Sequence, residues 1–217
     1  LIARFIDPSE GAVTIDGIDV REYDLQALRG MVGMAMQDVF LFSDTIDSNI
    51  AYGKPDSDDE WIRACAIDAD ADGFIRRTPQ GYDTIIGERG VGLSGGQRQR
   101  ISLARALAYD TPVLILDDTT SAVDMETEHY IQGRLRERKR RVTTIIIAQR
   151  ITSVRDADRI YIIENGTVSE CGTHEELLAN KGYYYDIYRL QQGLSADAAE
   201  AVAAAAKEGV RTKGGNA

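Results

Sequence analysis

The chain has 217 residues, of which 43% are hydrophobic, and 35 acidic and 25 basic residues give it a formal net charge of −10. A chain of this length can bury one core, and its dispersed basic residues argue against a nucleic-acid surface. Two cysteines suggest no disulfide framework. Since there is no signal peptide and no long apolar run, we expect any membrane part to lie on other sequence.

The N-terminal region predicts a hairpin, a short helix and a strand. An Asp-Gly pair between short apolar stretches in residues 10–18 favours a tight hairpin turn. Leu25–Leu28 predicts one helical turn, and Met31–Met36 predicts a strand that ends at the polar residue Gln37.

The next segment, Ser57–Glu60, predicts a capping box at the start of a helix. Trp61, Cys65 and Ala69 then recur at helical spacing. We assign this stripe to the core rather than to a cofactor site.

The segment Leu93–Gln97 predicts the start of a longer helix. Ser94 can accept a hydrogen bond from the N–H three residues on, and Gln97 can reach back to complete a capping box. Gly95 and Gly96 expose backbone N–H groups at the positive end of the helix dipole, which favours an anion and most often a phosphate. The apolar residues of this helix are Ile101, Leu103, Ala104, Leu107 and Ala108.

The run Val113–Leu116 predicts a strand that is buried on both faces of a parallel sheet. Asp117 and Asp118 follow at the carboxyl end of this strand, where α/β sheets bind ligands. Carboxylate oxygens suit Mg²⁺ bound through one or two carboxylates and substrate phosphates.

Asp124 predicts the N-cap of a helix that runs to about Arg138, with Ile131 and Leu135 as its buried pair.

The remaining chain predicts a strand, a hairpin and a helix. Val142–Ala148 predicts another buried strand, which ends before Gln149. An Asn-Gly pair within residues 160–169 is a strong hairpin signal. Thr173–Glu176 predicts a third capping box, and we expect His174 within it to be an exposed first-turn residue rather than a metal ligand.

The composition changes after Gln192. Ser195–Lys207 is rich in alanine and predicts at most a marginal helix, and Gly209–Ala217 predicts a disordered end. We therefore expect residues 193–217 to form a largely disordered tail.

These motifs together resemble the nucleotide-binding domain of an ABC transporter. Leu93–Gln97 matches the family signature in full, and Leu114–Asp118 matches its Walker B motif. Ser121–Asp124 matches the D-loop except for Val123, where leucine is usual. The register of residues 87–99 is more similar to multidrug and lipid exporters than to importers.

The resemblance implies an α/β fold with a P-loop NTPase-like (RecA-like) core. It predicts a mostly parallel sheet, an antiparallel β part and a helical lobe. The domain would span residues 1–192, with its core in 1–37 and 111–192 and its helical lobe in 38–110. No G-x-x-x-x-G-K-[ST] motif occurs in the chain, and we expect the phosphate-binding Walker A loop on upstream sequence.

The resemblance also implies ATP and Mg²⁺ as ligands. Asp117 and Gln37 would approach the metal, and Asp118 would act as the general base or position the attacking water. Asp124 would organise a dimer interface. The signature residues Ser94, Gly95, Gly96 and Gln97 would close on ATP bound by a partner chain.

Further residues would face a membrane domain. The segment Phe40–Phe42 is either core or a surface that receives a coupling helix of that domain. Glu88 and Arg89 resemble the segment that senses the membrane domain, and are otherwise a surface ion pair of little worth.

Two positions depart from the family pattern. Glutamate normally follows the Walker B aspartate, but here the residue is Asp118, whose carboxylate is one methylene shorter. The switch position of the family contacts the γ-phosphate and is normally histidine, but here it is Gln149, which can donate a hydrogen bond to that phosphate yet carries no proton charge. Both changes fall on one ATP site, while the signature that serves the other site is intact.

This pattern is similar to the degenerate half of a heterodimeric bacterial exporter. It implies transmembrane domains upstream in the same parent chain, a second half-transporter as partner, and a place at the cytoplasmic face of the plasma (inner) membrane. We expect the fragment alone to be inactive. Three alternatives stay open: a soluble non-transport ABC ATPase, a non-hydrolysing ATP-dependent dimerisation module, and a homodimeric exporter.

Overall fold

The computed structural model describes residues 1–87, 90–138, 142–195, 198 and 200–207. The chain forms two compact units, Leu1–Ile147 and Ala148–Ala217. No helix in the described part is long and apolar enough to cross a membrane. Glu88, Arg89 and Gly209–Ala217 lie outside the described residues, so the expectations for them stay predictions.

The first unit opens with a small hairpin and a short helix. Strands β1 (Thr14–Ile15) and β2 (Ile18–Asp19) pair antiparallel around Asp16 and Gly17. Both turn residues have positive φ angles, 50° and 81°, as a type I′ turn requires. Helix α1 (Leu25–Gly30) follows the hairpin. The predicted hairpin and helical turn are confirmed.

A three-stranded parallel sheet forms the centre of the first unit. It consists of β3 (Val32–Ala35), β4 (Val113–Asp117) and β5 (Thr143–Ile147), in the order β3–β4–β5. The first four residues of β4 are buried, because this strand has a neighbour on each side and packed side chains on both faces. The prediction of a fully buried strand at this position is confirmed.

The prediction that β5 is also buried is wrong. Among the described strands, β5 pairs with β4 alone, and no residue of β5 is fully buried. Ile147 at its end is 52% exposed. An apolar run of this kind predicts a strand, but its burial depends on what covers it.

Helices and a 3₁₀ turn share one core cluster with this sheet. They are α2 (Ile46–Ala51), α3 (Asp59–Asp68), α4 (Asp72–Ile75), a 3₁₀ turn (Gly81–Asp83), α5 (Gly95–Ala108) and α6 (Met125–Glu137). Helix α5 is the central one, because it contacts α2, α3 and the sheet. Its residues Ile101, Leu103 and Leu107 are buried in one cluster with Ala35 and Leu116 of the sheet. The apolar stripe predicted for this helix is confirmed.

Helix α3 begins one residue later than expected. Its N-cap is Asp58, whose Oδ1 accepts from the Trp61 N–H at 2.7 Å. The capping box predicted with Ser57 as N-cap is therefore wrong, because the charged carboxylate of the next residue satisfies the helix start instead. Cys65 and Ala69 are fully buried and Trp61 packs on the same cluster, so the predicted core stripe is confirmed.

The second unit contains a hairpin between helices. Its elements are α7 (Ile151–Val154), β6 (Ile160–Glu164), β7 (Thr167–Gly172), α8 (His174–Asn180) and α9 (Tyr183–Gln191). The turn residues Asn165 and Gly166 have φ angles of 50° and 78°, which confirms the predicted Asn-Gly turn. Its core includes Leu177, Leu178 and Tyr184.

The capping box at the start of α8 is confirmed, with Thr173 and Glu176 as its reciprocal partners. The expectation that His174 is simply an exposed residue is wrong. Its Nδ1 lies 2.7 Å from the Tyr184 hydroxyl, and its ring packs edge-on to Tyr188 at 5.5 Å. Burial lowers the pKa of this histidine.

The described part of the C-terminal segment contains a short helix. Residues 200–207 are helical, and Ala203 and Ala206 are buried among apolar side chains that include Ile187 and Tyr188. Positions three apart share one helix face, so two alanines suffice to pack this short helix. The marginal helix expected within Ser195–Lys207 is found there.

Candidate functional site

The predicted ligand residues of the first unit follow strands that end at one edge of the sheet. Ala35 of β3 is in register with Leu116 of β4, and the two strands are parallel. Gln37 therefore follows β3 at the same edge where Asp117 and Asp118 follow β4. Gln37 is exposed, and both aspartates are half-buried. The structure thus brings two predicted metal ligands, Gln37 and Asp117, and the predicted base Asp118 to one sheet edge.

The backbone of Asp118 has an unusual and well-supported conformation. Its φ angle is 48°, in the left-handed region that side-chain-bearing residues seldom adopt. Its N–H donates to the Ile147 carbonyl at 2.8 Å. Its carbonyl accepts from the Ser121 hydroxyl at 3.0 Å and from Gln99 Nε2 at 3.3 Å. Both peptide groups of the residue are therefore held, and its carboxylate extends from a fixed backbone.

The first turn of α5 forms the predicted capping box. The Gln97 N–H donates to Ser94 Oγ at 3.2 Å, and the Ser94 N–H donates to Gln97 Oε1 at 2.8 Å. Ser94 is exposed at the helix N-terminus, and the backbone of Gly95 and Gly96 begins the helix. The arrangement presents N–H groups at the positive end of a 14-residue helix, which favours a bound anion.

The loop between β4 and α6 packs closely against this turn. A Cβ added to Gly96 would lie 2.8 Å from the Ala122 carbonyl oxygen, and one added to Gly95 would lie 3.6 Å from the Ala122 side chain. Glycine is thus required at Gly96 because backbone approaches it directly. The segment Leu93–Gln97 and the loop Asp118–Asp124 form one continuous surface.

Gln99 is a contact residue of this surface that sequence reasoning missed. It is 8% exposed, and its amide bonds three groups of the loop. Its Nε2 donates to the Asp118 carbonyl and to Ser121 Oγ, and its Oε1 accepts from the Ala122 N–H at 3.0 Å. A glutamine in a polar stretch of a helix predicts an exposed side chain, so periodicity gave no signal for these contacts.

Asp124 is the N-cap of α6, as predicted. Its carboxylate accepts from the Thr127 N–H at 2.9 Å and from the Thr127 hydroxyl at 3.0 Å. These hydrogen bonds lower the pKa of Asp124. The carboxylate is exposed, and its predicted place at a dimer interface stays a prediction.

Gln149 lies in the second unit, two residues after the end of β5. It is exposed, and its backbone carbonyl accepts from Gln191 Nε2 at 2.8 Å. Its predicted contact with a γ-phosphate stays a prediction.

The segment after Gln37 is held by Arg105 of α5. The guanidinium donates to the Phe40 carbonyl at 2.8 Å and to both the backbone and side-chain oxygens of Asn49 at 2.7 Å. It also lies over the rings of Phe42 and Tyr52. Burial lowers the pKa of Arg105. The signature helix therefore supports this segment as well as the loop after β4.

The residues Phe40, Leu41 and Phe42 divide between core and surface. Leu41 is fully buried, whereas Phe40 is 51% exposed. Phe42 stacks on Tyr52 at 4.3 Å, and Tyr52 is 59% exposed. We call Phe40, Phe42 and Tyr52 the aromatic patch.

The acidic groups at the sheet edge fit a magnesium–nucleotide complex better than a metal bound by protein alone. No group of three histidine, cysteine, aspartate or glutamate side chains in the described residues could hold a metal ion. Asp117 supplies a carboxylate at the edge and Gln37 an amide oxygen, so Mg²⁺ here would take its other ligands from phosphates and water.

Comparison with known proteins gives one consistent result. The ABC transporter family profile matches residues 1–121. The chain is 51% identical over 191 residues to the uncharacterised ABC transporter ATP-binding protein YknU of Bacillus subtilis. It is 49% identical over 191 residues to the ATP-dependent lipid A-core flippase of Chromohalobacter salexigens. Each match covers 88% of this chain and 33% of the relative, so the chain spans about a third of their length.

The fold is also similar to a solved structure, described as a bacterial Atm1-family ABC exporter with ATP bound. The TM-score is 0.84 at 40% sequence identity. The match covers 90% of this chain and 34% of the exporter chain.

Proposed function

The chain belongs to the ABC transporter family, and from that premise we propose that it is the ATP-binding domain of an exporter with one impaired ATP site. Its relatives include an ATP-dependent lipid A-core flippase and a putative multidrug export protein. In this proposal the chain forms a weak ATP site of its own. Its signature completes the active site of a second, different half-transporter.

The observation that carries this proposal is Asp118 at the position that follows the Walker B aspartate. Its backbone is held on both sides, so the chain cannot easily move to compensate for the shorter side chain. A misplacement of about 1 Å can cost roughly a hundredfold in rate. General-base action itself contributes about 10²–10⁴-fold. The shorter side chain of Asp118 is therefore enough to make hydrolysis at this ATP site slow compared with a site that has glutamate at the same position.

Gln149 at the switch position supports the same interpretation. Glutamine can donate a hydrogen bond to a γ-phosphate, but it has no charged form. A histidine there could bring a proton and its charge to the transferring phosphoryl group. Two departures from the family pattern favour an impaired site over an isolated substitution.

The signature supports the second half of the proposal. The capping box orders Ser94 and Gln97, and Gly96 lets the backbone of Ala122 pack closely against the helix start. Preorganised N–H groups stabilise negative charge on a transferring phosphoryl group. We assign Ser94–Gln97 to the ATP bound by the partner.

The remaining roles follow from the sheet edge. Asp117 holds Mg²⁺ mainly through water, and Gln37 approaches the same ion. Mg²⁺, when bound, neutralises phosphate charge. Asp124 orders the start of α6 and, in the dimer, the interface beside the loop. ATP closes the dimer and hydrolysis reopens it.

The aromatic patch is the surface we assign to the transmembrane domain. Its side chains are partly exposed, and Arg105 ties them to the signature helix. Movement of that helix on ATP binding would therefore reach the patch directly. In this proposal the chain lies at the cytoplasmic face of the plasma (inner) membrane, attached to its membrane domain.

ATP hydrolysis by the full-length protein tests the proposal, alone and with its half-transporter partner. The wild type is compared with Asp118→Glu plus Gln149→His. The control carries the same two changes at exposed positions, Asp83→Glu plus Gln26→His. We expect negligible hydrolysis by the wild type alone. We expect ATP turnover when the wild type is combined with its partner, and when the variant with Asp118→Glu plus Gln149→His is measured alone. Fast hydrolysis by the wild type alone would contradict the impaired site and indicate a homodimeric exporter.

A further inference from the structure

Gly96 and Gln99 lie on one face of α5, because residues three apart share a helix face. Both meet the loop between β4 and α6. Gly96 approaches the Ala122 carbonyl, and Gln99 bonds the Ala122 N–H from the next turn. Leu103, four residues further on, is fully buried and anchors the same face in the core.

The amide of Gln99 matches the loop groups that surround it. Its NH₂ faces two acceptors, the Asp118 carbonyl and Ser121 Oγ, and its oxygen faces one donor, the Ala122 N–H. The reverse amide orientation would set an NH₂ against an N–H and an oxygen against a carbonyl. Glutamine suits this position because its side chain donates and accepts at once.

The Asp118 carbonyl connects this network to the sheet edge. The Asp118 N–H is bonded to β5, and its carbonyl to Gln99 and Ser121. The left-handed backbone at this residue is seldom adopted and persists only where its surroundings hold it. Gln99 is one of the groups that hold it.

We infer that Gln99 is a positioning residue that links the signature turn to the loop carrying Asp118. The inference rests on the proposed function, in which Ser94–Gln97 serve the partner's ATP and Asp118 serves the chain's own site. Gln99 lies two residues after the signature and bonds the residue that faces the other ATP. A displacement of the signature turn is thus passed to Asp118 through one side chain, and the two sites are coupled within the chain.

Gln99→Met in the full-length protein with its partner tests this link. Methionine keeps the length and most of the volume of glutamine but cannot form the three hydrogen bonds. Gln26→Met on α1 is the matched control, because Gln26 is exposed. Gln99→Glu is the second variant. It retains the acceptor for the Ala122 N–H and loses the donor to the Asp118 carbonyl.

The first measurement is amide hydrogen exchange of the peptide that covers residues 117–124. We expect exchange at Ala122 to rise about tenfold in Gln99→Met, less in Gln99→Glu, and not at all in Gln26→Met. Thermal unfolding of each variant shows whether the change is local. Unchanged exchange at Ala122 would overturn the inference whatever the ATPase rate.

The second measurement is steady-state ATP hydrolysis. We expect kcat of the full-length protein with its partner to fall about tenfold in Gln99→Met, while KM stays within about twofold of the wild-type value. The reason is that the substitution disturbs the position of the loop that carries Asp118 but removes no contact with the nucleotide. Faster exchange with unchanged kcat would overturn the coupling. No hydrolysis by the wild-type pair would instead overturn the proposed function and the catalytic part of this inference, while faster exchange would still establish the Gln99 contact.

Discussion

Gly96 lies so close to Ala122 that a Cβ added to the glycine would meet the Ala122 carbonyl oxygen at 2.8 Å. Real Cβ atoms do not approach backbone oxygens this closely, so any side chain at Gly96 must displace the loop. The signature turn and the loop after β4 are therefore one packed unit. A displacement of the signature turn therefore moves the loop, and a displacement of the loop moves the turn.

Gly96→Ala is expected to abolish ATP turnover by the proposed heterodimer, because the added methyl displaces the Ala122 backbone from the signature turn. Gly133→Ala on α6 is the control, since a Cβ there meets no atom within 4 Å. A helical glycine in open space gains roughly 0.4–1 kcal/mol of stability from alanine. The rate of ATP hydrolysis is measured for Gly96→Ala and for Gly133→Ala, each purified with its partner. Intact turnover in Gly96→Ala would refute the assignment of the signature to the partner's site.

Arg105→Lys is expected to destabilise the protein by about 1–3 kcal/mol despite the retained charge. The guanidinium bonds the Phe40 carbonyl and two oxygens of Asn49 at once, and a lysine cannot match that planar geometry. Asn49 is 1% exposed, so its lost partner is not replaced by water. The thermal midpoint should fall by several degrees. The same change at the exposed Arg77 should leave it unchanged.

Asp68 is expected to hold α3 to α6 mainly through Arg138. Asp68 is 8% exposed, and it pairs with Arg134 at 2.8 Å and with Arg138 at 2.9 Å. The Arg138 side chain is 17% exposed and that of Arg134 is 39% exposed, so solvent screens the second pair more. Arg138→Gln should therefore lower the midpoint of thermal unfolding more than Arg134→Gln. Equal effects would show that burial does not decide between the pairs.

The second unit is expected to lose stability as the pH falls below about 6.5, the usual pKa of an unfolded histidine. Burial lowers the pKa of His174 in the folded state, so the unfolded state binds more protons in this range. Stability then decreases as the unfolded histidine takes up its proton. Protection factors of the α8 amides, measured between pH 7.5 and 5.5, report this loss.

His174→Phe should remove most of that pH dependence, because phenylalanine packs on Tyr184 and Tyr188 without a titrating group. His129→Phe is the control, since His129 is exposed on α6 in the first unit. An α8 helix whose protection falls equally with pH in wild type and His174→Phe would assign the effect to other groups.

Local chemistry was sufficient for much of the fold. The capping boxes at Ser94 and Thr173 and the two hairpin turns depend on residues within four positions of each other, and all are found. The strand Val113–Leu116 could be predicted because a short apolar run that directly follows Pro112 favours a buried strand. The family follows from the ordered motifs, and the comparisons confirm it.

The tertiary structure decided what local patterns leave open. Two adjacent side chains, Ser57 and Asp58, could each cap α3, and the stronger acceptor does so. The apolar run of β5 predicts a strand, but only the sheet order shows that it is an edge.

The contacts of Gln99 and Arg105 could not be predicted from the sequence either. They join residues 19 to 65 positions apart, and neither side chain belongs to an apolar periodicity. Burial of a polar side chain is decided by the partners that the fold brings to it, since without them it would remain in water. The sequence alone determined many of the elements, the family and the residues at the sheet edge. Only the fold determined which polar side chains hold those residues in place.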